Sequence, residues 1–282
     1  MPKIAVHLHI YYGNQTDDLL RRLQNLSEYP YDLFVTIVED NPDIKQEILS
    51  YKPDAQIWQI PNLGYDIGPF IDFLHHIDLD AYDYIVKIHT KRTVADTYCI
   101  FNKHRFNMAT WREMLLDAVI SKPAATNNPK LLEANEKIGM LGNSYLLTDE
   151  KGTYRNLGGD IAAKMTEIGL TMPQDIHFVA GTMFWVRAKL LKPFLFYHLA
   201  DFKPSDKNIH DKTLAHLVER MFSLAVTAQG YRIKGVRYKS FTAMFWLAAI
   251  KRFLYQHKIT HNNKQIIKIC KIPVYYRKAK SV

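Results

Sequence analysis

The chain has little cysteine, no long apolar run and, toward its end, no acid. Only Cys99 and Cys270 occur among 282 residues, so no disulfide framework is available and a reducing cytoplasm is the expected setting. No stretch approaches the roughly 20 apolar residues that span a bilayer. The start, Met1-Pro2-Lys3-Ile4-Ala5-Val6-His7, lacks a signal-peptide pattern and reads as an immediate strand. No Gly-x-x-x-x-Gly-Lys-Ser/Thr sequence occurs, which counts against the commonest class of nucleotide-dependent phosphotransferase. Internal repeats and low-complexity linkers are missing too. The apolar share of 48% supports a sizeable core.

Charge is divided unevenly. Glu219 is the last acidic residue, and residues 220–282 carry 14 Lys and Arg. With a net charge of +9 overall, the first 219 residues stand at −5. Such asymmetry points to a polyanionic partner for the tail. Phe241, Met244, Phe245, Trp246, Leu247, Ile250, Phe253 and Leu254, beside Lys251, Arg252 and Lys258, suit an interfacial helix on anionic lipid. A C-terminal helix packed on the core is the alternative. No nucleic-acid motif accompanies the charge, so no nucleic-acid partner is expected.

Periodicity predicts strands over 3–11, 31–38, 55–60 and 82–88, with helices over 17–26, 43–51 and 66–77 between them. Strands alternating with helices imply βαβ units and a mainly parallel sheet, hence an α/β fold. The second half is less regular. It predicts helices over 101–120, 157–168 and 212–229, a loop over 123–129, and strands over 137–141, 177–186 and 231–236.

Residues 62–92 are the most informative. Asn62-Leu63-Gly64-Tyr65-Asp66-Ile67-Gly68-Pro69-Phe70 is a polar turn opening a helix, and the strand Tyr84-Ile85-Val86-Lys87-Ile88 ends in His89-Thr90-Lys91-Arg92. Open α/β sheets bind ligands outside the carboxyl ends of their strands. Two cations and a Thr at such an end suit a phosphate, although a solvated loop would look similar.

Four blocks in order, Asn62 to Phe70, Lys87 to Lys91, Gly181-Thr182-Met183-Phe184-Trp185-Val186-Arg187 and Leu214-Ala215-His216-Leu217-Val218-Glu219-Arg220, resemble the rhamnan synthesis protein F family of bacterial polysaccharide glycosyltransferases. The resemblance implies a GT-A-like, Rossmann-type nucleotide-sugar domain, set over 1–236, and the basic run beyond it reads as a helical tail over 237–282. It implies transfer of a deoxyhexose such as rhamnose from a dTDP- or UDP-linked donor to a lipid-linked or cell-surface glycan, on the inner face of the cytoplasmic membrane. A catalytically inactive glycan-binding or scaffold module is the alternative.

The wider GT-A pattern suggests roles. Glu39 and Asp40 stand where an acidic pair contacts the donor's base and ribose, although Asp40-Asn41-Pro42-Asp43 could equally begin a helix. Asn62 and Gly64 match an Asn-x-Gly turn, with Asp66 binding sugar hydroxyls or capping the helix. Lys87, His89, Thr90 and Lys91 stand where such enzymes carry a metal-binding Asp-x-Asp. This chain has none there, so Lys91 is expected to neutralise the diphosphate in place of Mg²⁺ or Mn²⁺. No cofactor is firmly implied. Gly181, Thr182 and Trp185 are expected on the acceptor side, although a buried strand would read alike. Glu219, eleven residues before Gly230, is the first candidate for general base, with Asp211 second and His216 on the same helix face.

Overall fold

The computed structural model describes residues 1–93, 98–101, 104–149, 158–205, 213–259 and 264–278. In its first half β1 (Ile4–Ile10), α1 (Thr16–Leu23), β2 (Tyr31–Ile37), α2 (Pro42–Tyr51), β3 (Gln56–Gln59), α3 (Ile67–His76) and β4 (Tyr84–His89) alternate as periodicity predicts. β1 lies between β2 and β4, parallel to both. It is covered on both faces, so every one of its residues is buried. Ile4, Val6, Leu8 and Ile10 join one core with α1 residues, and Ala5 joins the other with Phe70 and Phe73 of α3. Full burial of such side chains stabilises by about 1.5–3 kcal/mol each.

The second half departs from periodicity in several places. The strands β5 (Tyr98–Phe101) and β6 (His104–Asn107) pair as a hairpin where a helix was expected. The helix α4 (Met108–Ile120) starts later because Asn107 Oδ1 accepts the Thr110 N–H at 2.8 Å and caps it. The expected loop 123–129 lies inside α5 (Lys122–Glu133). Ser121 caps that helix, and Pro123 sits in the first turn, where a missing N–H costs nothing. Next come β7 (Ile138–Asn143), β8 (Leu147–Thr148) and α6 (Gly158–Glu167). The expected strand 177–186 is broken into β9 (Phe178–Val179) and β10 (Phe184–Arg187), because Gly181 (φ +85°) and Thr182 (φ +49°) take left-handed backbone between them. The helix α7 (Leu214–Ala228) and strand β11 (Arg232–Val236) follow.

The central sheet has seven strands in the order β11-β7-β10-β4-β1-β2-β3. Only β10 runs antiparallel to its neighbours. The tail is not wholly helical. The helix α8 (Thr242–Leu254) leads into an antiparallel meander of β12 (Tyr255–Ile259), β13 (Lys264–Ile269) and β14 (Ile272–Lys278). Its sequence is rich in Ile and Tyr, which favour strands. The path from β11 to α8 is fixed by Asp117, whose carboxylate accepts the N–H groups of Tyr238 and Lys239 at 2.9 and 3.2 Å. Among the described residues, no helix is long and apolar enough to cross a membrane.

Two histidines of β1 are buried without charge. His7 Nε2 and His9 Nδ1 lie 3.0 and 2.9 Å from Thr36 Oγ1, and His7 stacks on Phe73. Burial, then the nearby positive groups, holds His7 well below the usual imidazole range. Burial brings His9 down to about 4, against an opposing pull from Asp66. Between pH 6.5 and 4 the unfolded chain therefore binds protons that the folded chain refuses, and stability falls with pH in that window. Melting temperatures measured from pH 7 to pH 4.5 should drop steadily. A His7→Leu variant, which cannot take up a proton there, should show a shallower drop. Parallel profiles for the two proteins would show that His7 is not held neutral.

Candidate functional site

The parallel register sets His9 beside His89, so the exits of β1 and β4 lie side by side. Thr90 fastens them. Its N–H donates to the His9 carbonyl, and its Oγ1 accepts the N–H groups of Tyr11 and Tyr12 at 2.9 and 3.0 Å. The next residue is held from α1's side of the sheet. Gln15 accepts the Lys91 N–H and donates to the Lys91 carbonyl, while its Oε1 also accepts from Arg112. The Lys91 ammonium lies 4.2 Å from the Trp111 ring centroid. A cleft of about 230 Å³ opens over this edge, lined by His9, Tyr11, Tyr12, Asn62, Tyr65, Asp66, His89, Thr90, Lys91, Arg92, Met108 and Ser205.

Asp66 is the only acid among the described lining residues. It begins α3, but its side chain makes no capping bond. Instead Oδ2 accepts from Lys87 Nζ at 2.5 Å and from Thr182 Oγ1 at 2.6 Å, while Lys87 also donates to Thr182 Oγ1 at 3.1 Å. Lys87 is 1% exposed. Burial alone would raise the Asp66 carboxyl, but the adjoining positive charge and two hydrogen bonds outweigh it and hold the group well below the carboxylate range. Burial lowers the Lys87 ammonium, and Asp66 offsets part of that. His89 Nδ1 lies 3.5 Å from Asp66 Oδ2, and burial keeps this imidazole far below its usual range, hence neutral. Asp66 Oδ1 receives no hydrogen bond among the described residues, so it can accept one from a ligand hydroxyl.

The left-handed turn explains how Thr182 arrives there. Gly181 donates its N–H to Glu219 Oε1 at 3.0 Å, which ties the turn to α7. A Cβ on Gly181 would stand 3.0 Å from Trp111 Nε1 in an already left-handed backbone. Glu219 is half-buried and is not among the lining residues of the cleft. His216 pairs its Nδ1 with Thr213 Oγ1 at 2.6 Å and packs edge-on against Tyr65, a lining residue. Asp211 lies outside the described residues.

The structure thus brings Asn62, Asp66, His89, Thr90 and Lys91 to one cleft, with Lys87 and Thr182 directly beneath. Other expected residues lie elsewhere. Trp185 is fully buried and donates Nε1–H to the Val119 carbonyl at 2.8 Å, so it is core and not a sugar platform. Gly64 is left-handed (φ +68°), and a Cβ there would stand 2.7 Å from the Phe202 ring. Its missing side chain admits Phe202, not a ligand. Glu39 and Asp40 are exposed beyond the lining, and Asp40 pairs with Lys45. Sequence reasoning missed His9, Tyr11, Tyr12, Met108 and Ser205. Position at the exit of β1 was the available signal for the first three.

The buried pair sets a stability prediction. Removing one partner of a buried ion pair strands the other charge, at a cost of about 3–5 kcal/mol. Asp66→Asn should therefore lose roughly that much in denaturant unfolding. Adding Lys87→Met should recover part of the loss. A double variant no more stable than Asp66→Asn would show that the pair is not what holds these elements together.

Among the described residues, no group of three or more His, Cys, Asp or Glu is arranged to hold a metal ion. Divalent hard cations require several oxygen ligands, and among the described residues the cleft offers one carboxylate, Asp66, whose Oδ2 is held by Lys87 and Thr182.

The rhamnan synthesis protein F family model matches residues 1–231. Uncharacterized protein WxcX of Xanthomonas campestris pv. campestris (strain B100) is 25% identical over 242 residues, covering 83% of this chain and 33% of that protein. The chain therefore spans about a third of the length of the curated relatives it matches. Among solved structures, S. aureus TarS in complex with UDP is similar at 12% identity and a TM-score of 0.46, covering 88% of this chain and 65% of that one. Glucosyl-3-phosphoglycerate synthase from Mycobacterium tuberculosis is similar at 11% identity and a TM-score of 0.38, covering 98% of this chain and 89% of that one. The match over residues 1–231 identifies the chain as a member of the rhamnan synthesis protein F family.

Proposed function

We propose that the chain is a glycosyltransferase domain that moves rhamnose or another deoxyhexose from a dTDP- or UDP-linked donor to a lipid-linked or cell-surface glycan. It works at the cytoplasmic face of a membrane. Family membership supports the reaction class, and one observation carries the site. Among the described lining residues, two cations, Lys91 and Arg92, meet a single oriented carboxylate, Asp66, and the aromatic rings of Tyr11 and Tyr12. Cations meet a diphosphate, a carboxylate meets sugar hydroxyls, and aromatic faces meet a base.

In this reading Lys91 and Arg92 stabilise the charge that develops on the leaving diphosphate. A carboxylate held as low as Asp66 is a weak base, so it orients the sugar and does not take the acceptor's proton. Glu219 is the proposed base of an inverting transfer. Its Oε1 is engaged by Gly181, while Oε2 receives no hydrogen bond among the described residues. Asp211 remains second.

Nucleotide titration tests the site. UDP and dTDP should bind, and Lys91→Ala should weaken them about ten- to a hundredfold, because hydrogen bonds to charged groups contribute roughly 1.5–3 kcal/mol. Equal affinity for both proteins would remove Lys91 from the phosphate site. Binding of neither nucleotide would favour a scaffold module. Transfer should also persist in excess EDTA, and loss restored by Mg²⁺ or Mn²⁺ would overturn the fixed-cation reading.

The base has its own test. Glu219→Gln keeps an oxygen for the Gly181 N–H and removes only the basicity. Turnover should fall by about 10²–10⁴-fold, with UDP affinity unchanged. A fully active Gln variant would leave Glu219 as the residue that holds the turn.

A further inference from the structure

We infer that α8 and the β13–β14 turn form one docking face for an anionic bilayer. The helix is anchored on a single side. Phe241 and Phe245 are 1% and 7% exposed, and Phe245 stacks on His104 at 4.7 Å between ring centroids. Among the described residues the outer side has no such cover. Trp246 and Leu247 are 67% and 65% exposed, and Ile250 and Leu254 are each 50% exposed. A helix apolar around most of its circumference is ordinarily buried, and exposed patches of this kind mark interaction sites.

The sheet extends the same face. Ile269 and Ile272, on either side of the β13–β14 turn, are 50% and 65% exposed. Between them Cys270 and Lys271 both have positive φ, which makes a tight two-residue turn. That turn is fastened to the helix end. The Cys270 N–H donates to the Leu254 carbonyl at 3.0 Å, and Lys271 Nζ lies 5.4 Å from the Phe253 ring centroid. Helix end and turn therefore present one apolar surface, bordered by the exposed Lys251 and Lys271.

Charge selects the occupant. Residues 220–282 contain no acid. In a symmetric pair each copy would bring this same surface, setting cation against cation with no carboxylate from the tail between them. An anionic bilayer supplies both an apolar interior and opposite charge. The inference rests on the membrane-side acceptor proposed above, but lipid binding tests it without reference to the cleft. UDP titration can succeed or fail independently.

The experiment is co-sedimentation of the full chain with phosphatidylcholine vesicles, with and without phosphatidylglycerol. Binding should require phosphatidylglycerol and weaken with salt, because screening acts over about 10 Å at 0.1 M. Leu247→Asp and Ile272→Asp, at positions too exposed to disturb folding, should each reduce binding roughly tenfold. Phe196→Asp, which alters an exposed aromatic outside this face, should leave it unchanged. Trp246 emission should shift to the blue on vesicles, and a Trp246→Phe variant should lack that shift. Equal binding to neutral vesicles, or no effect of either Asp variant, would overturn the inference. So would a solution dimer that Leu247→Asp dissociates while vesicle binding is absent.

Discussion

The arrangement of the cleft depends on one buried contact, the Lys87 ammonium on the Asp66 carboxylate. Lys87 is the fourth residue of β4, a strand buried along its whole length. Its charge there is tolerable only with a partner. Asp66 supplies one from the start of α3, and Thr182 completes the contact from the turn before β10. Glu219 of α7 then holds the neighbouring Gly181. Four segments that are distant in sequence are thereby fixed around one carboxylate. A buried ion pair is a poor way to gain stability, since apolar residues of similar volume usually serve as well. What it achieves here is a carboxylate with fixed orientation and fixed ionisation on the floor of a cleft.

The same charge explains the histidines around it. His7, His9 and His89 crowd one edge with Lys87, and both burial and the ammonium disfavour protonating them. They stay neutral, and Thr36 serves the first two as a shared hydrogen-bond partner. Among the described residues the cleft therefore carries a simple pattern, with one anion, Asp66, and two cations, Lys91 and Arg92. A ligand with a diphosphate at one end and hydroxyls at the other matches it in a single orientation.

Much of this was legible in the sequence, and the rest was hidden for physical reasons. The first four strands and their helices follow hydrophobic period, because each is covered by the next element in the chain. The convergence of residues 62–66 with 87–91 follows from strand ends sharing one edge. Trp185 deceived because a core strand and a sugar platform use the same residues; its full burial and its bond to the Val119 carbonyl separate them. The break at Gly181-Thr182 is set by Glu219 across the fold, which no local pattern encodes. Lys87 looked like a phosphate ligand, but the alternation of β4 turns it inward beneath Asp66. The tail's strands were missed because charge and aromatic content drew attention to the helix alone.

The packed side of α8 links the tail to the cleft lining. The segment 104–110 forms β6 and the start of α4. It carries Met108 into the cleft lining and Thr110 against Met244 of α8 at 3.8 Å. His104 of the same segment stacks on Phe245. One short stretch of chain thus touches both the cleft lining and the packed side of α8. An acceptor whose glycan is fixed to a lipid cannot travel far from the bilayer. For the lipid-linked acceptor proposed above, the transferring site has to open close to the membrane, and segment 104–110, which touches both the cleft lining and the packed side of α8, is the link that this proposal requires.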